Sequence, residues 1–280
     1  MPHTQTKVTH CGENSFKFSA KAHLLLSEIE SQPRLLCVNS RIKGEMAEFQ
    51  YIQRPFFAAS ISDTIEGLLR NSEVEVSKRT VVLCGAIDFG VVIGSTQKIS
   101  PALHDYSIRH TTPIHRRSSG GSAVIIEPGN SIWIDIFLPP NDPLASTSIE
   151  KTFEVASVGW TAVLASFGVV AETYRGSYSL KSGYREICFA GRAHGEILVD
   201  QKKVVGMAQR RRRIGTYIHT MAYIDFPFLE TIEATYGLKT DPIELESLGI
   251  GSLSQFGNFT AEATDSYLEI FTQALNQQRL

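Results

Sequence analysis

At 280 residues, 42% of them hydrophobic and 20% charged, the chain is long enough to bury a substantial core as one large domain or two small ones. Its formal net charge of -2 lacks the basic excess of a nucleic-acid binder, and no apolar run approaches the roughly 18 residues that span a bilayer. The start, MPHTQTKVTHCGENSFKF, carries no charged-then-apolar export signal. The four cysteines (Cys11, Cys37, Cys84 and Cys188) lie far apart without a CxxC pair, which argues against a disulfide framework or a zinc site. The expected setting is a reducing cytoplasm, with no nucleic acid, membrane or metal among the partners.

In chain order, residues 1–50 are polar and irregular, with short apolar patches at 23–26 and 35–38, and read as an extension of unknown role. SISDTIEGLLR places Ser and Asp near a helix start, followed by Ile65, Leu68 and Leu69 at helical spacing. TVVLCGA and GVVIGS read as strands punctuated by glycine. EPGN, at 127–130, fits a β-turn with Pro second and Gly third. Beyond it, Ile132, Ile134, Ile136 and Leu138 alternate with Trp133, Asp135 and Phe137, which predicts a strand with at least one buried face. Residues 148–169 suit a helix packed on that sheet, weakened by Gly159. GEILVDQKKVVGMAQ reads as strand, polar turn, strand, and the C-terminus ends in an amphipathic helix with Thr260 as its cap. Strands and helices are interspersed without regular βαβ units, so the expected class is α+β, a mixed sheet flanked by helices.

Two stretches carry candidate chemistry. In HRRSSGG, Gly120 and Gly121 allow close backbone approach or positive φ, and Arg117 offers paired donors to a phosphate, carboxylate or carbonyl. A plain turn flanked by solvated arginines has the same appearance. No GK[ST] and no GxGxxG follows, so neither a P-loop nor a dinucleotide fingerprint is present. In ICFAGRAHGEILVDQKKVVGMAQRRRR, a hairpin returns the chain so that Lys203 can lie opposite Cys188. A cation beside a thiol makes a nucleophile; a structural cysteine near a lysine is the alternative. The arginines at 210–213 read as a solvated face, and Cys84 as a small core residue.

Together these stretches resemble the lipoate/octanoate branch of the biotin/lipoate protein ligase and transferase family. Arg116-Arg117-Ser118-Ser119-Gly120-Gly121-Ser122-Ala123-Val124 is similar to its Arg-Arg-x-x-Gly-Gly-x-x-Val signature, and Lys203-Val204-Val205-Gly206-Met207-Ala208-Gln209 to its Lys-[Ile/Val/Phe]-x-Gly-x-[Ala/Ser]-Gln signature. VVIGSTQ, at 91–97, resembles its Val-x-Gly-x-x-Gln strand end, and the three occur in the family's order. The resemblance implies a catalytic domain over 51–280. It implies Cys188 as nucleophile with Lys203 its partner, and Arg117, Ser118, Gly120, Gly121, Gly206 and Ala208 around the substrate. It further implies octanoyl or lipoyl transfer to a lysine of a lipoyl-domain protein, such as glycine-cleavage H protein or a 2-oxoacid dehydrogenase E2 subunit, with acyl carrier protein as a possible donor. That chemistry requires no cofactor. The alternative within the branch is an ATP-dependent lipoate ligase, which needs ATP and Mg²⁺. Ser122 in place of a third glycine and Ile126 in place of a frequent histidine lean towards the amidotransferase subgroup, or towards a binding module that retains the fold.

Overall fold

The computed structural model describes residues 54–278, apart from 146–147, 181–182, 228–231, 233–234 and 238–246. The N-terminal extension and its apolar patches therefore lie outside the described residues.

Strand β1 (Phe56–Asp63) takes the SISD segment that was expected to open a helix. Helix α1 (Ile65–Arg70) begins two residues later, capped by the intervening Thr64, whose hydroxyl accepts from the Gly67 N–H at 3.2 Å. The alternation of SISD between buried and exposed positions is a strand period, and it outweighs the capping chemistry of its serines and aspartate. Next come β2 (Arg79–Ala86) and β3 (Gly90–Ile93), as the sequence indicates. A helix that hydrophobic spacing did not reveal, α2 (Pro101–His110), follows Ser100. Its signals are local: the Ser100 side chain accepts from Leu103 N, Pro101 opens the first turn, and Thr111 ends it with φ 51°.

After β4 (Ile114–Arg116) and β5 (Val124–Ile126), strand β6 (Ser131–Leu138) leads to the long helix α3 (Ile149–Ser166). The short strands β7 (Glu172–Thr173), β8 (Ser179–Leu180) and β9 (Gly191–Arg192) precede the hairpin of β10 (Ile197–Val199) and β11 (Lys202–Arg212). Asp200 and Gln201 turn that hairpin, both with positive φ, as a two-residue loop matched to strand twist requires. β12 (Gly215–Tyr223) and the C-terminal helix α4 (Thr264–Gln277) complete the fold. Thr260 stands at the N-cap position of a short 3-10 turn ahead of α4, without a side-chain capping bond, and not at α4 itself, which starts after Ala263.

Seven strands form one mixed sheet in the order β1-β2-β6-β12-β11-β10-β7, antiparallel except for the β1–β2 pair. A second sheet, β4-β3-β5, contributes to the core on one face of the first, and β8 pairs with β9. β6 is buried on both sides because it sits near the centre of this sheet. Ile132, Ile134, Ile136 and Leu138 join the core shared with α3 and α4. Trp133 and Phe137 join the other core, with Val91–Ile93 of β3 and the residues of β5.

Gly159, which weakened the helix reading, explains how α3 and α4 meet. A Cβ there would stand 2.5 Å from the Phe271 ring. The missing side chain lets Phe271 approach, and Phe271 stacks edge-on against Trp160 at 5.9 Å. The Trp160 Nε1–H donates to Thr220 Oγ1 at 2.8 Å, anchoring α3 to β12.

Candidate active site

The two motif stretches converge at Ala123. Its N–H donates to the Glu186 carbonyl at 2.9 Å, and its own carbonyl accepts from the Cys188 N–H at 3.1 Å. The loop after the double glycine is thereby stitched to the loop that carries the cysteine. Cys188 opens a 3-10 turn, Cys188–Ala190, with Phe189 buried beneath it.

Cys188 lines a narrow, partly open cleft between the β4-β3-β5 sheet and the main one. The wall is otherwise almost wholly apolar: Leu69, Val92, Val124, Ile126, Trp133, Phe189, Met207 and Met221 contribute, with Gly206 and Ala208 of β11. The apolar lining suits a hydrocarbon chain. Strand β6 serves both faces of the sheet: Trp133 walls the cavity, while the isoleucines join the core under α3 and α4.

Lys203 is 1% exposed, and its ammonium is fully engaged. Nζ donates to the Cys188 carbonyl at 2.9 Å and to the Gly191 carbonyl at 2.9 Å, and pairs with Glu196 Oε1 at 2.7 Å. An ammonium has three N–H groups, and three acceptors surround this one. Lys203 thus lies by Cys188 as the hairpin predicts, yet it grips the cysteine's main chain and not its sulfur. Glu196, which the sequence reading passed over, also accepts from Ala193 N and Met207 N. Burial pushes the Glu196 carboxyl up, and the Lys203 charge pulls it back down.

Arg117 is buried as well. Its guanidinium donates to the carbonyls of Gly120, Ser122 and Val92 at 2.8 to 3.2 Å, so it organises the glycine turn from within. Burial lowers its pKa, and interactions with Cys188 and then Tyr236 oppose that. Gly121 needs its freedom: φ is +99°, and a Cβ would meet the Arg117 guanidinium at 2.6 Å. Gly94, at the end of β3, is needed for a different reason, because its Cβ would strike the Gly121 carbonyl oxygen.

Of the residues that the resemblance implicates, the cavity wall brings together Cys188, Arg117, Gly206 and Ala208. Ser118 lies outside it, in an adjoining open groove with Arg70, Arg116, Arg210 and Arg212. Gly120 and Gly121, both exposed, and the buried Lys203 are not among the residues that line the cavity. Of the arginine run, expected to be a solvated face, Arg210 donates to the Ser118 carbonyl and Arg211 to Thr152 Oγ1, so two of the four tie β11 to neighbouring elements. Among the described residues no group of three or more His, Cys, Asp or Glu side chains could hold a metal ion. No helix among them is long and apolar enough to cross a membrane.

Asp135 and His219 form a cluster that the sequence reading missed. They are cross-strand partners on β6 and β12. Asp135 is fully buried and accepts from Trp133 Nε1 at 2.7 Å, Tyr217 O–H at 2.6 Å, His219 Nδ1 at 3.0 Å and Cys84 Sγ at 3.4 Å. Burial, reinforced by the Asp135 charge, raises the pKa of both Cys84 and Tyr217, so both remain donors. The available signal was one carboxylate inside a strand whose every neighbour is apolar. A charge in that place must find partners or be expelled.

The sequence model of the lipoyl protein ligase A/B catalytic domain matches residues 64–269. An octanoyltransferase LipM from Clostridioides difficile (strain 630) is 29% identical over 112 residues, 40% of this chain and 41% of that protein. One from Exiguobacterium sp. (strain ATCC BAA-1283 / AT1b) is 28% identical over 106 residues, 36% and 38% of the two chains. The chain thus spans about two fifths of the length of these relatives. Among solved structures, lipoate-protein ligase A bound with ATP superposes with a TM-score of 0.57 at 16% identity, over 79% of this chain and 85% of that one. A bi-partite lipoate protein ligase from Thermoplasma acidophilum, studied with its E2 lipoyl domain, gives 0.58 at 16% identity, over 79% and 84%. These structures share the fold. Because the sequence model covers most of the chain and the motif residues converge on one cavity, the chain belongs to the lipoyl protein ligase A/B catalytic domain family.

Proposed function

We propose that the protein is an acyltransferase of the octanoyl or lipoyl type, working through a thioester on Cys188. The observation that carries this reading is Cys188 in the wall of a narrow apolar cavity that Arg117 also lines, with the cysteine's main chain held by Lys203. The similarity to octanoyltransferase LipM supports the choice of acyl group.

In the first half-reaction the Cys188 sulfur attacks the donor's acyl carbonyl. A carbon–sulfur bond forms, the donor's thioester or amide bond breaks, and the donor's thiol or amine leaves with the proton. In the second, the ε-amine of an acceptor lysine attacks the thioester, an amide forms, and a proton returns to Cys188. Arg117 lines the same cavity as the reacting sulfur. Lys203 and Glu196 act as positioning residues that fix the Cys188 backbone. The acceptor is a lipoyl-domain protein, either glycine-cleavage H protein or an E2 subunit, and the donor is acyl carrier protein or an already acylated domain. No cofactor is required. The distribution of charge speaks against the ATP-dependent ligase reading, because the Lys203 donors are occupied and its charge is balanced by Glu196.

Incubation with octanoyl-acyl carrier protein, and separately with octanoylated H protein, without ATP, tests this. Intact mass spectrometry should show an octanoyl gain that hydroxylamine removes and that Cys188→Ser lacks. Lipoylation of an acceptor only when lipoate, ATP and Mg²⁺ are supplied, with no adduct from either donor, would overturn the transferase in favour of the ligase.

A further inference from the structure

The acyl cavity contains one polar feature that the transfer chemistry leaves unused. His219 is 7% exposed and lines the same cavity as Cys188. Its Nδ1 lies 3.0 Å from Asp135 Oδ1, and its other ring nitrogen, Nε2, is buried with no hydrogen-bond partner among the described residues. Such orphans are rare because each costs on the order of 1–3 kcal/mol. The ring is also held firmly: Tyr217 meets it edge-on at 4.1 Å, and Trp133 lies 5.9 Å away.

The hydrogen-bonding pattern defines what Nε2 can offer. A carboxylate only accepts, and Asp135 already collects three other donors, so Nδ1 must carry the proton on that side. Nε2 then presents a lone pair in the neutral ring, or an N–H when the ring is charged. A hydroxyl pairs with either form, and a thiol does so more weakly. A plain hydrocarbon pairs with neither and would seal the nitrogen into an apolar enclosure.

From this we infer that His219, oriented by Asp135, is a specificity-determining residue that selects medium-chain acyl groups bearing a hydroxyl or thiol over the plain saturated chain. The inference rests on the reading of this cavity as an acyl chamber. It adds a requirement that the reaction at Cys188 does not impose. Polar contacts discriminate more sharply than apolar ones, because a partner without the group leaves the site's own polar atom unpaired.

Binding of free acids separates this inference from the transfer chemistry, since it needs no thioester. The Cys188→Ser protein would be titrated with octanoic acid, 6-hydroxyoctanoic acid, 8-hydroxyoctanoic acid and 6,8-dimercaptooctanoic acid, following the fluorescence of Trp133 in the cavity wall. At least one substituted acid should bind about five- to tenfold tighter than octanoic acid, the size of one net hydrogen bond. His219→Leu should abolish or reverse that preference, and His219→Gln, which keeps a hydrogen-bonding group, should retain part of it. A thermal melt of each variant confirms folding. Equal or tighter binding of octanoic acid by the parent protein, a preference unchanged in His219→Leu, or failure of every acid to bind would each overturn the inference. Loss of the Cys188 adduct alone would instead sink the proposed reaction and leave this result standing.

Discussion

Lys203 shows how a signature residue can be correctly located and still differ in what it touches. The hairpin brings it to Cys188, but all three of its protons point at acceptors other than the sulfur. A buried ammonium with a buried carboxylate is costly to break, because removing one partner leaves the other as an uncompensated charge. Glu196→Gln should therefore lower unfolding stability by about 3–5 kcal/mol, and Lys203→Met by a similar amount. The double variant should lose clearly less than the sum, as urea melts would show. A pH series adds a second readout. The folded Glu196 pKa lies above the ordinary value of 4.5, so the folded protein holds that proton more tightly than the unfolded chain. Its contribution is then full in acid below 4.5 and declines as pH rises through the folded value. The stability difference between parent and Glu196→Gln should shrink over that interval; a difference that grows would contradict the assigned direction.

Among elements, the contact of α3 with α4 is decided by the absence of a side chain. Helix propensity alone says that Gly159→Ala should stabilise by about 1 kcal/mol. Packing says otherwise, because the new methyl would stand 2.5 Å from the Phe271 ring and overpacking costs about 1–3 kcal/mol. The packing cost is the larger, so Gly159→Ala should destabilise. Phe271→Leu, which withdraws the ring, should reduce that penalty in a double-mutant cycle. Additive effects would show that the helices are not held apart by this pair. The SISD segment teaches the opposite lesson about local chemistry. Good capping residues stood ready there, yet the strand period prevailed, because β1 pairs with β2 along its whole length.

For the molecule as a whole, the main sheet separates stability from function. One face carries α3 and α4 and a continuous apolar core, while the other carries the apolar cavity, the cysteine and the Asp135 cluster. Leu275, in the core under α4, is 2% exposed. Leu275→Ala should cost about 2–5 kcal/mol in stability, yet leave octanoate affinity at 25 °C within twofold of the parent. Met221→Trp, on the cavity wall, should do the reverse. It fills existing space, so stability should change by about 1 kcal/mol, while binding and adduct formation fall at least tenfold. Isothermal titration alongside thermal melts reads both. Loss of affinity in Leu275→Ala would mean that the faces are coupled through the sheet.

Much of this was legible in the sequence because it is local. Strand alternation, the glycine turn, the hairpin around Asp200 and Gln201 and the motif spacing all depend on near neighbours in the chain, and they led directly to a mixed sheet and to Cys188 beside Lys203. Other features depend on contacts between distant residues. The pairing of Lys203 with Glu196, the inward grip of Arg117 on the glycine turn, the pocket that Gly159 offers to Phe271 and the meeting of Asp135 with His219 across two strands 84 positions apart have no local signature. The sequence by itself determined most of the elements, though not α2 or the end of β1, and which motif residues come together. The tertiary structure decided what each buried charge is paired with, because that choice is made when water is excluded and the only partners left are those the fold has brought within reach.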